Sequence, residues 1–285
     1  MLKNNISFVY LFFFLLISCN DNNGVFETDL HKMKLHGNIK KIDKTSYYVK
    51  LYFGGLVKAK RCLFAIDEPF HDDIFQILYF NQKGNITNRL YSDLNNHITG
   101  ETKYFYDNDN RIIKKNDGNI VRNITYDLKN NKYVEIKKYP WDEKTINYID
   151  KNNNIIKIDM FEKNILIQRS CMIYNSDDKK ISEKIYGTAN KGELSYDYIY
   201  KYDNKNNLIS ESNKLDIKNE QNYNYNENGD VIEWCYSNSP LRELLFGTYT
   251  YKYDEKGNWI ERIYYLGKGK YKKVEILTKR IIEYY

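Results

Sequence analysis

The stretch that decides the fold runs from Tyr251 to Asn258 and reads Tyr-Lys-Tyr-Asp-Glu-Lys-Gly-Asn. Its first three residues alternate aromatic and charged side chains, as expected for a strand with two different faces. The Asp and the Gly three residues later are typical of a type I turn that closes into a bulge, a common connection between antiparallel strands. The stretch therefore predicts a strand, a hairpin turn that begins at Asp254, and a second strand.

Degenerate copies of this stretch recur about every 25 residues back to about residue 78, a period typical of repeat architectures. Each copy places an Asp or Asn at the start of the turn, and an Asx side chain there can accept a backbone N–H two residues on. The residue three positions later is always Gly, Asn or Asp, which accept a left-handed backbone at low cost. The eight turn-starting residues are Asn81, Asp107, Asp127, Asp150, Asn175, Asp203, Asn226 and Asp254.

Eight hairpins correspond to about sixteen strands, and twisted open sheets rarely exceed about ten strands without curling or splitting. We therefore predict an all-β protein of tandem antiparallel β-hairpin repeats that form one long, twisted or curled sheet. The composition agrees, with 29 Tyr and only 3 Pro among 285 residues. On a sheet this thin, we expect some aromatic rings either to stay exposed for binding or to pack as cross-strand ladders.

The N-terminus resembles a bacterial lipoprotein signal. One Lys precedes the apolar run Ile6–Ile17, which is too short to span a bilayer and has the length of a signal-peptide core. The run ends in Leu16-Ile17-Ser18-Cys19, which resembles the lipobox, in which a small residue precedes a Cys that becomes the acylated N-terminus. The resemblance implies a signal peptide over 1–18 and lipid attachment, including palmitate, at Cys19. The alternative is an ordinary secretory signal with an incidental Cys.

The sequence pattern divides the rest of the chain into four segments. We predict that residues 19–32 hold the lipidated Cys and a flexible tether, and that residues 33–77 form an N-terminal β cap followed by an irregular segment. The repeats occupy 78–265, and 266–285 reads as a closing strand. A Gly-Asn-Ile echo of the repeat at Gly37–Ile39 is expected to begin the sheet.

Charge and cysteines point to no particular partner. The formal net charge is +6, but the two signs are interleaved. The basic run Lys268–Lys273 is interpreted as protection of a sheet edge, and the export signal disfavours nucleic-acid binding. Cys62, Cys171 and Cys235 form neither a disulfide framework nor a zinc motif, and Cys171 and Cys235 are interpreted as free thiols.

The copies at Tyr202-Asp203, Tyr225–Asp230 and Tyr253–Asn258 resemble the YD (RHS-type) repeats of bacterial cell-surface and toxin-carrier proteins. Together with the lipobox, the chain resembles repeat lipoproteins of Bacteroidetes-type bacteria. The resemblance covers roughly 78–265 and implies a curled antiparallel sheet. In large members the sheet wraps a cavity around a toxin, and we expect this chain to be too short to close such a shell.

No motif predicts a metal or a cofactor. The four His have no close metal spacing, and His71-Asp72-Asp73 reads equally well as an exposed loop. Asp107–Asn110 resembles the start of a calcium loop, but Gly118 stands where an EF-hand needs Glu.

Catalytic and ligand-contact candidates are few. The carboxylate pairs could in principle hydrolyse glycosides, but turn residues explain them equally well; they are Asp67/Glu68, Asp72/Asp73 and Asp177/Asp178. Trp234 and Trp259 lie in repeat strands and are interpreted as packing residues. Trp141 lies in a connection between copies and is our candidate for contact with a ligand.

These patterns favour a membrane-anchored, non-enzymatic lipoprotein of the bacterial envelope whose repeat surface binds a protein or a glycan. We expect the anchor to sit in the outer membrane, with the domain in the periplasm or at the surface. Two alternatives stay open: a hydrolase that uses loop carboxylates, and a structural or toxin-system accessory protein.

Overall fold

A computed structural model describes residues 27–53, 55–61, 76–137, 142–187, 192–237, 243 and 245–285. Within these residues the chain forms one short α-helix, α1 (Asp29–Lys32), and nineteen strands. The first nine strands are β1 (Ile39–Tyr52), β2 (Gly55–Arg61), β3 (Gln76–Phe80), β4 (Ile86–Ser92), β5 (Ile98–Tyr106), β6 (Ile112–Asp117), β7 (Ile120–Asp127), β8 (Lys132–Lys137) and β9 (Glu143–Ile149). The other ten are β10 (Ile155–Glu162), β11 (Ile165–Tyr174), β12 (Lys180–Gly187), β13 (Leu194–Tyr202), β14 (Leu208–Asn213), β15 (Asp216–Tyr225), β16 (Val231–Tyr236), β17 (Phe246–Tyr253), β18 (Trp259–Leu266) and β19 (Lys273–Tyr284).

The sheet closes on itself. From β3 to β19 each strand pairs antiparallel with the next, and β19 pairs with β1 along Ile39–Tyr48. The opposite edge of β1 pairs with β3 along Lys41–Lys44 and with β2 along Tyr47–Tyr52. Because β2 and β3 run in line along one edge of β1, they share one position, and the described strands form an eighteen-position barrel.

The predicted all-β antiparallel hairpin sheet is confirmed, but the sheet closes into a barrel and is not the long, twisted or curled sheet that we predicted. The physical reason is the N-terminal strand β1, whose two edges accept the first and the last strands of the repeat array. The expectation that the chain is too short to close a shell around a toxin stays a prediction.

All eight predicted turns connect paired strands at one end of the barrel, which we call the turn rim. In seven of them the side chain that starts the turn accepts two backbone N–H groups, from the residues two and four positions on. At Asp254 the donors are Lys256 at 3.0 Å and Asn258 at 2.9 Å, and Gly257 has φ +85°. These seven turns have the predicted geometry.

Two turns depart from the prediction. After Asp127 the chain makes a 3-10 turn, Leu128–Asn130, and the left-handed residue is Asn131 instead of Asn130. The Asx turn at Asp93 was not predicted; it accepts N–H groups from Asn95 and His97 at the opposite end of the barrel, the loop rim. Asp93 follows Ser92 and not an aromatic residue, so its strand lacks the repeat signature.

Strand register divides the side chains into two walls. The face that carries Ile42 and Leu78 is the buried one, and Leu30 of the N-terminal segment packs against it, so we call it the inner wall. The larger aromatic cluster on this wall contains Tyr223, Trp234, Tyr249, Tyr264 and Ile276.

Tyrosines form a ladder along the inner wall. At six places among the described residues, a Tyr hydroxyl donates to the first backbone carbonyl of the return strand in the preceding hairpin. The pairs are Tyr106 to Ile86 (2.8 Å), Tyr126 to Ile112 (3.3 Å), Tyr174 to Ile155 (3.0 Å), Tyr202 to Lys180 (2.8 Å), Tyr225 to Leu208 (2.6 Å) and Tyr251 to Val231 (2.6 Å). Burial raises the pKa of Tyr202 to about 12, so it stays a neutral donor. Of the two interpretations of the Tyr content, these rings follow the packing ladder.

Two segments near the N-terminus differ from the prediction. Gly55–Arg61, expected to be irregular, is strand β2, while 62–75 lie outside the described residues. The flexible tether expected over 19–32 ends earlier, because Asp29–Lys32 form α1 with Thr28 as its N-cap. An amphipathic pattern of four residues is too short to detect in sequence.

Gly247 should tolerate no side chain. It pairs with Trp234 across β16 and β17, and a Cβ at Gly247 would lie 1.9 Å from the indole Nε1. We expect Gly247→Ala to lower the free energy of unfolding by about 1–3 kcal/mol, the usual cost of overpacking. Gly100→Ala is the matched control, because its Cβ would meet Tyr91 at an ordinary 3.5 Å. Equal losses of stability in denaturant titrations of the two variants would show that the indole does not occupy this position.

Candidate functional site: the sealed rim and the charged inner wall

The N-terminal segment, Glu27–Asn38, is bound firmly to the first two hairpins. Asp29 is 5% exposed, and its Oδ2 accepts the backbone N–H of Ile86 at 2.7 Å and the hydroxyl of Tyr106 at 2.8 Å. The backbone N–H of Leu30 donates to the carbonyl of Gly84 at 2.9 Å. A buried carboxylate with two such donors is well compensated for its loss of water.

The same segment reaches hairpins on the far side of the ring. Lys34 Nζ donates to Asn207 Oδ1 at 3.3 Å, in the sixth turn. His36 and Asn258 of the eighth turn exchange two hydrogen bonds of 2.8 Å each. The first and sixth turns lie on opposite sides of a ring of nine hairpin positions, so the segment crosses the turn rim and seals that end.

The ninth hairpin position is where the two chain ends meet. Gly37 has φ +84°, like the glycines of the regular turns, and the Asn38 carbonyl accepts the backbone N–H of Tyr285 at 2.9 Å. The Tyr284 hydroxyl bridges Asp254 and Asn258 of the neighbouring turn. The Gly-Asn-Ile sequence at Gly37–Ile39 thus occupies the position of a hairpin turn between β19 and β1, which are not joined by continuous chain.

One side of the inner wall is cationic. Lys44 is 4% and Arg262 is 9% exposed, and register places Arg280 opposite Lys44 and Arg89 two strands further around the ring. The guanidinium of Arg280 lies 3.3 Å from the ring centroid of Trp259, and that of Arg262 lies 5.2 Å from it. Stacking on an aromatic face stabilises a cation at a site with little water.

A different part of the inner wall carries two carboxylates. Glu183 on β12 and Glu211 on β14 flank Tyr200 on β13. Glu183 Oε2 accepts the hydroxyl of Tyr200 at 3.1 Å and pairs with Lys180 Nζ at 2.6 Å. Burial raises the pKa of Glu211, the charge of Glu183 raises it further, and Lys180 opposes both effects.

Sequence reasoning missed this inner-wall group. Glu183 and Glu211 are 28 positions apart, and neither belongs to a motif. Only the register of β12, β13 and β14 places both carboxylates beside one tyrosine. The wall offers hydrogen-bonding and charged groups of both signs, which suits a polar ligand.

The outer wall also carries ion pairs. Asp159 lies between Lys157 at 3.3 Å and Arg169 at 2.6 Å. Glu261 lies between Lys252 at 2.7 Å and Lys279 at 3.1 Å, and the Lys252 hydrogen bond lowers the pKa of Glu261. A Lys or Arg on a lipid-facing strand costs about 2–4 kcal/mol at the bilayer midplane, so this wall suits water.

The β1–β2 hairpin extends beyond the last β1–β19 pair at the loop rim. At its tip Leu51 is 64%, Tyr52 65% and Phe53 95% exposed. Phe53 holds φ at +47°, a strained value for a residue with a side chain. We call Leu51–Phe53 the apolar tip.

The structure places few of the sequence candidates together. Cys19 and Trp141 lie outside the described residues, as do His71–Asp73 and Asp67/Glu68. Trp234 is 2% and Trp259 is 8% exposed, which confirms packing.

The other sequence candidates serve the turns. Asp178 occupies the left-handed position of its turn, and its Oδ1 accepts amide donors from Asn152 and Asn154, as expected of a turn residue. Asp107, the first residue of the calcium-like stretch, starts a hairpin turn and pairs with Arg111 at 2.6 Å. Within the described part of the chain no three His, Cys, Asp or Glu side chains are grouped to hold a metal ion. Cys171 and Cys235 are half-buried, and neither forms a disulfide within the described part of the chain.

No helix among the described residues is long and apolar enough to cross a membrane.

No protein-family model and no curated protein matches this chain. Among solved structures, a porin-like protein from Bacteroides uniformis is 11% identical, with 86% of this chain and 98% of that chain covered at a TM-score of 0.48. A porin-like protein from Bacteroides vulgatus is 12% identical, with 68% and 97% covered at a TM-score of 0.38. The Photorhabdus luminescens Tc holotoxin pore is 15% identical, with 70% of this chain and 11% of that chain covered at a TM-score of 0.34. Likeness at this level carries no argument about function.

Removal of the Asp29 carboxylate should free the N-terminal segment. Asp29→Ala leaves a buried N–H and a buried hydroxyl without this acceptor, at a cost of about 1–3 kcal/mol. We expect tryptic cleavage after Lys32 and Lys34 to become roughly tenfold faster, because cleavage follows the population of the open segment. Asp177→Ala, at an exposed turn position on another hairpin, should leave the rate unchanged. Unchanged cleavage in Asp29→Ala would contradict the sealed rim.

The pKa of Glu211 predicts a pH dependence of stability. Because burial raises this pKa above its usual 4.5, ionisation of Glu211 destabilises the folded state as the pH rises through that raised pKa. Between pH 4 and pH 7 the wild type should therefore lose stability relative to Glu211→Gln. Glu261→Gln is the control with the opposite sign, because the pKa of Glu261 is lowered. Thermal midpoints across this range measure both differences, and the same trend in both variants would contradict the assignment.

Proposed function

We propose that this protein is a lipid-anchored, non-enzymatic binding protein of the bacterial envelope, built on YD-like repeats. Leu16-Ile17-Ser18-Cys19 after an apolar run supports acylation at Cys19. Two or more acyl chains hold a protein stably at a membrane, whereas one does so only marginally. The outer membrane is the proposed location, and the charged outer wall suits a domain held at the membrane by its N-terminus instead of by its strands.

The observation that carries the binding function is the apolar tip. Phe53 is 95% exposed in a strained backbone conformation, and its ring contacts that of Tyr52 edge-on at 4.5 Å. Strain of this kind costs of order 1–3 kcal/mol and is found mostly at functional sites. Aromatic residues dominate binding hot spots. We therefore propose that the tip contacts a protein or a glycan, with Trp141 as a second contact.

The alternatives draw less support from the described residues. The hydrolase hypothesis depended on loop carboxylates, and Asp178 is engaged in turn hydrogen bonds. If the protein binds no ligand, a structural or toxin-system accessory role is the alternative that stays open. No nucleic-acid partner and no cofactor form part of the proposal.

Anchoring is tested by fractionation of the envelope. Wild-type protein should partition into detergent and carry acyl mass on its N-terminal Cys19, whereas Cys19→Ser should move to the soluble fraction. A wild-type N-terminus without acyl mass would refute the anchor.

Binding is tested by capture from native envelope with the mature protein as bait. We expect the double variant Leu51→Ser/Phe53→Ser to lose its ligand while its thermal midpoint stays unchanged, because both side chains are exposed. Ile281→Ser, which is 66% exposed on the outer wall, is the matched control for lost apolar surface. Trp141→Ala tests the second contact. Equal capture by wild type and the double variant would exclude the tip as the binding surface.

A further inference from the structure

We propose that the turn rim faces the membrane that holds acylated Cys19, so that lipid headgroups are the partner of this rim and the apolar tip points away from the membrane. This orientation rests on the proposed acylation of Cys19. It follows from where the N-terminal segment is fixed and from how much chain lies before it.

The point of attachment is defined by Asp29. Its carboxylate is buried between Ile86 and Tyr106 at the turn rim, and Leu30 is bonded to Gly84 in the first turn. The chain that leads to Cys19 therefore leaves the barrel at the turn rim, and Glu27 marks its exit.

The length of the connecting chain limits how far the barrel can stand from the membrane. Eight peptide steps separate Cys19 from Glu27. At roughly 3.3–3.6 Å per residue, the extended chain spans at most about 26–29 Å. The acylated residue must therefore lie within about 3 nm of the turn rim.

The apolar tip lies farther away than this. Strand β1 has 14 residues, starts at the turn rim and ends in the tip. At about 3.3 Å per residue it is roughly 43 Å long, or about 30–35 Å along the barrel axis after a tilt of about 35–45°. Even a fully extended tether that ran along the wall would end short of the tip, so the tip cannot easily rest on the same membrane.

The side chains of the turn rim suit headgroups and not the hydrocarbon interior. Between the first and fifth residue of each turn the sequence supplies polar and charged residues and Gly, with Leu128 as the one apolar residue, and Lys83, Lys205 and Lys256 are exposed. Charged groups at this end would be costly to insert among acyl chains. The rim should therefore rest at the depth of the headgroups.

The two ends of one strand provide a matched pair of probes. Lys205 precedes β14 at the turn rim, Leu215 follows β14 at the loop rim, and both are exposed. Each is changed to Cys, one at a time, in a variant in which Cys62, Cys171 and Cys235 are replaced by Ser. A fluorophore is attached to the new Cys, and the labelled lipoprotein is inserted into vesicles. The vesicles carry a nitroxide on the lipid headgroup or deep in the acyl chain.

With headgroup nitroxide we expect the Lys205→Cys label to be quenched several-fold more than the Leu215→Cys label. Deep nitroxide should quench neither. Equal quenching, or stronger quenching at Leu215→Cys, in protein whose N-terminal acyl mass is confirmed would overturn the orientation alone. Absence of acyl mass would overturn the anchor and this orientation with it. Thermal midpoints of both labelled variants confirm that the barrel is intact.

Discussion

The barrel depends on one strand that pairs along both of its edges. β1 bonds to β19 on one side and to β3 and β2 on the other. Without it, sixteen hairpin strands and β19 would form an open strip with two unpaired edges, which are templates for aggregation. Closure satisfies those backbone groups, and the N-terminal segment that leads into β1 seals the turn rim. The first residues after the tether thus complete the barrel that the repeats begin.

Local chemistry explains what could be predicted. An Asx residue at the start of a turn and a Gly, Asn or Asp three positions on specify the turn within five residues, so the eight hairpins were visible in sequence. The prediction for the turn at Asp127 was wrong because its left-handed residue is Asn131 and not Asn130. Both positions hold Asn, so the sequence supports either register.

Non-local contacts explain what was missed. Closure depends on pairs such as Ser46 and Thr278, which are 232 positions apart and carry no local signal. Glu183 and Glu211 come together only through the register of three strands, and α1 is held by Asp29 contacts to Ile86 and Tyr106. Little in the sequence indicated the role of Asp29, since a single Asp before Leu30 is equally typical of a flexible tether.

The segment that crosses the turn rim also joins hairpins that lie far apart in the sequence. Tandem repeats can gain or lose a hairpin by duplication or deletion, and each such change alters the circumference of a closed sheet. The segment contacts the first turn at Leu30, the sixth at Lys34 and the eighth at His36, all within seven residues. A ring with more or fewer hairpins would have to break or rearrange these three contacts, so the crossing segment favours the number of hairpin positions that this barrel has.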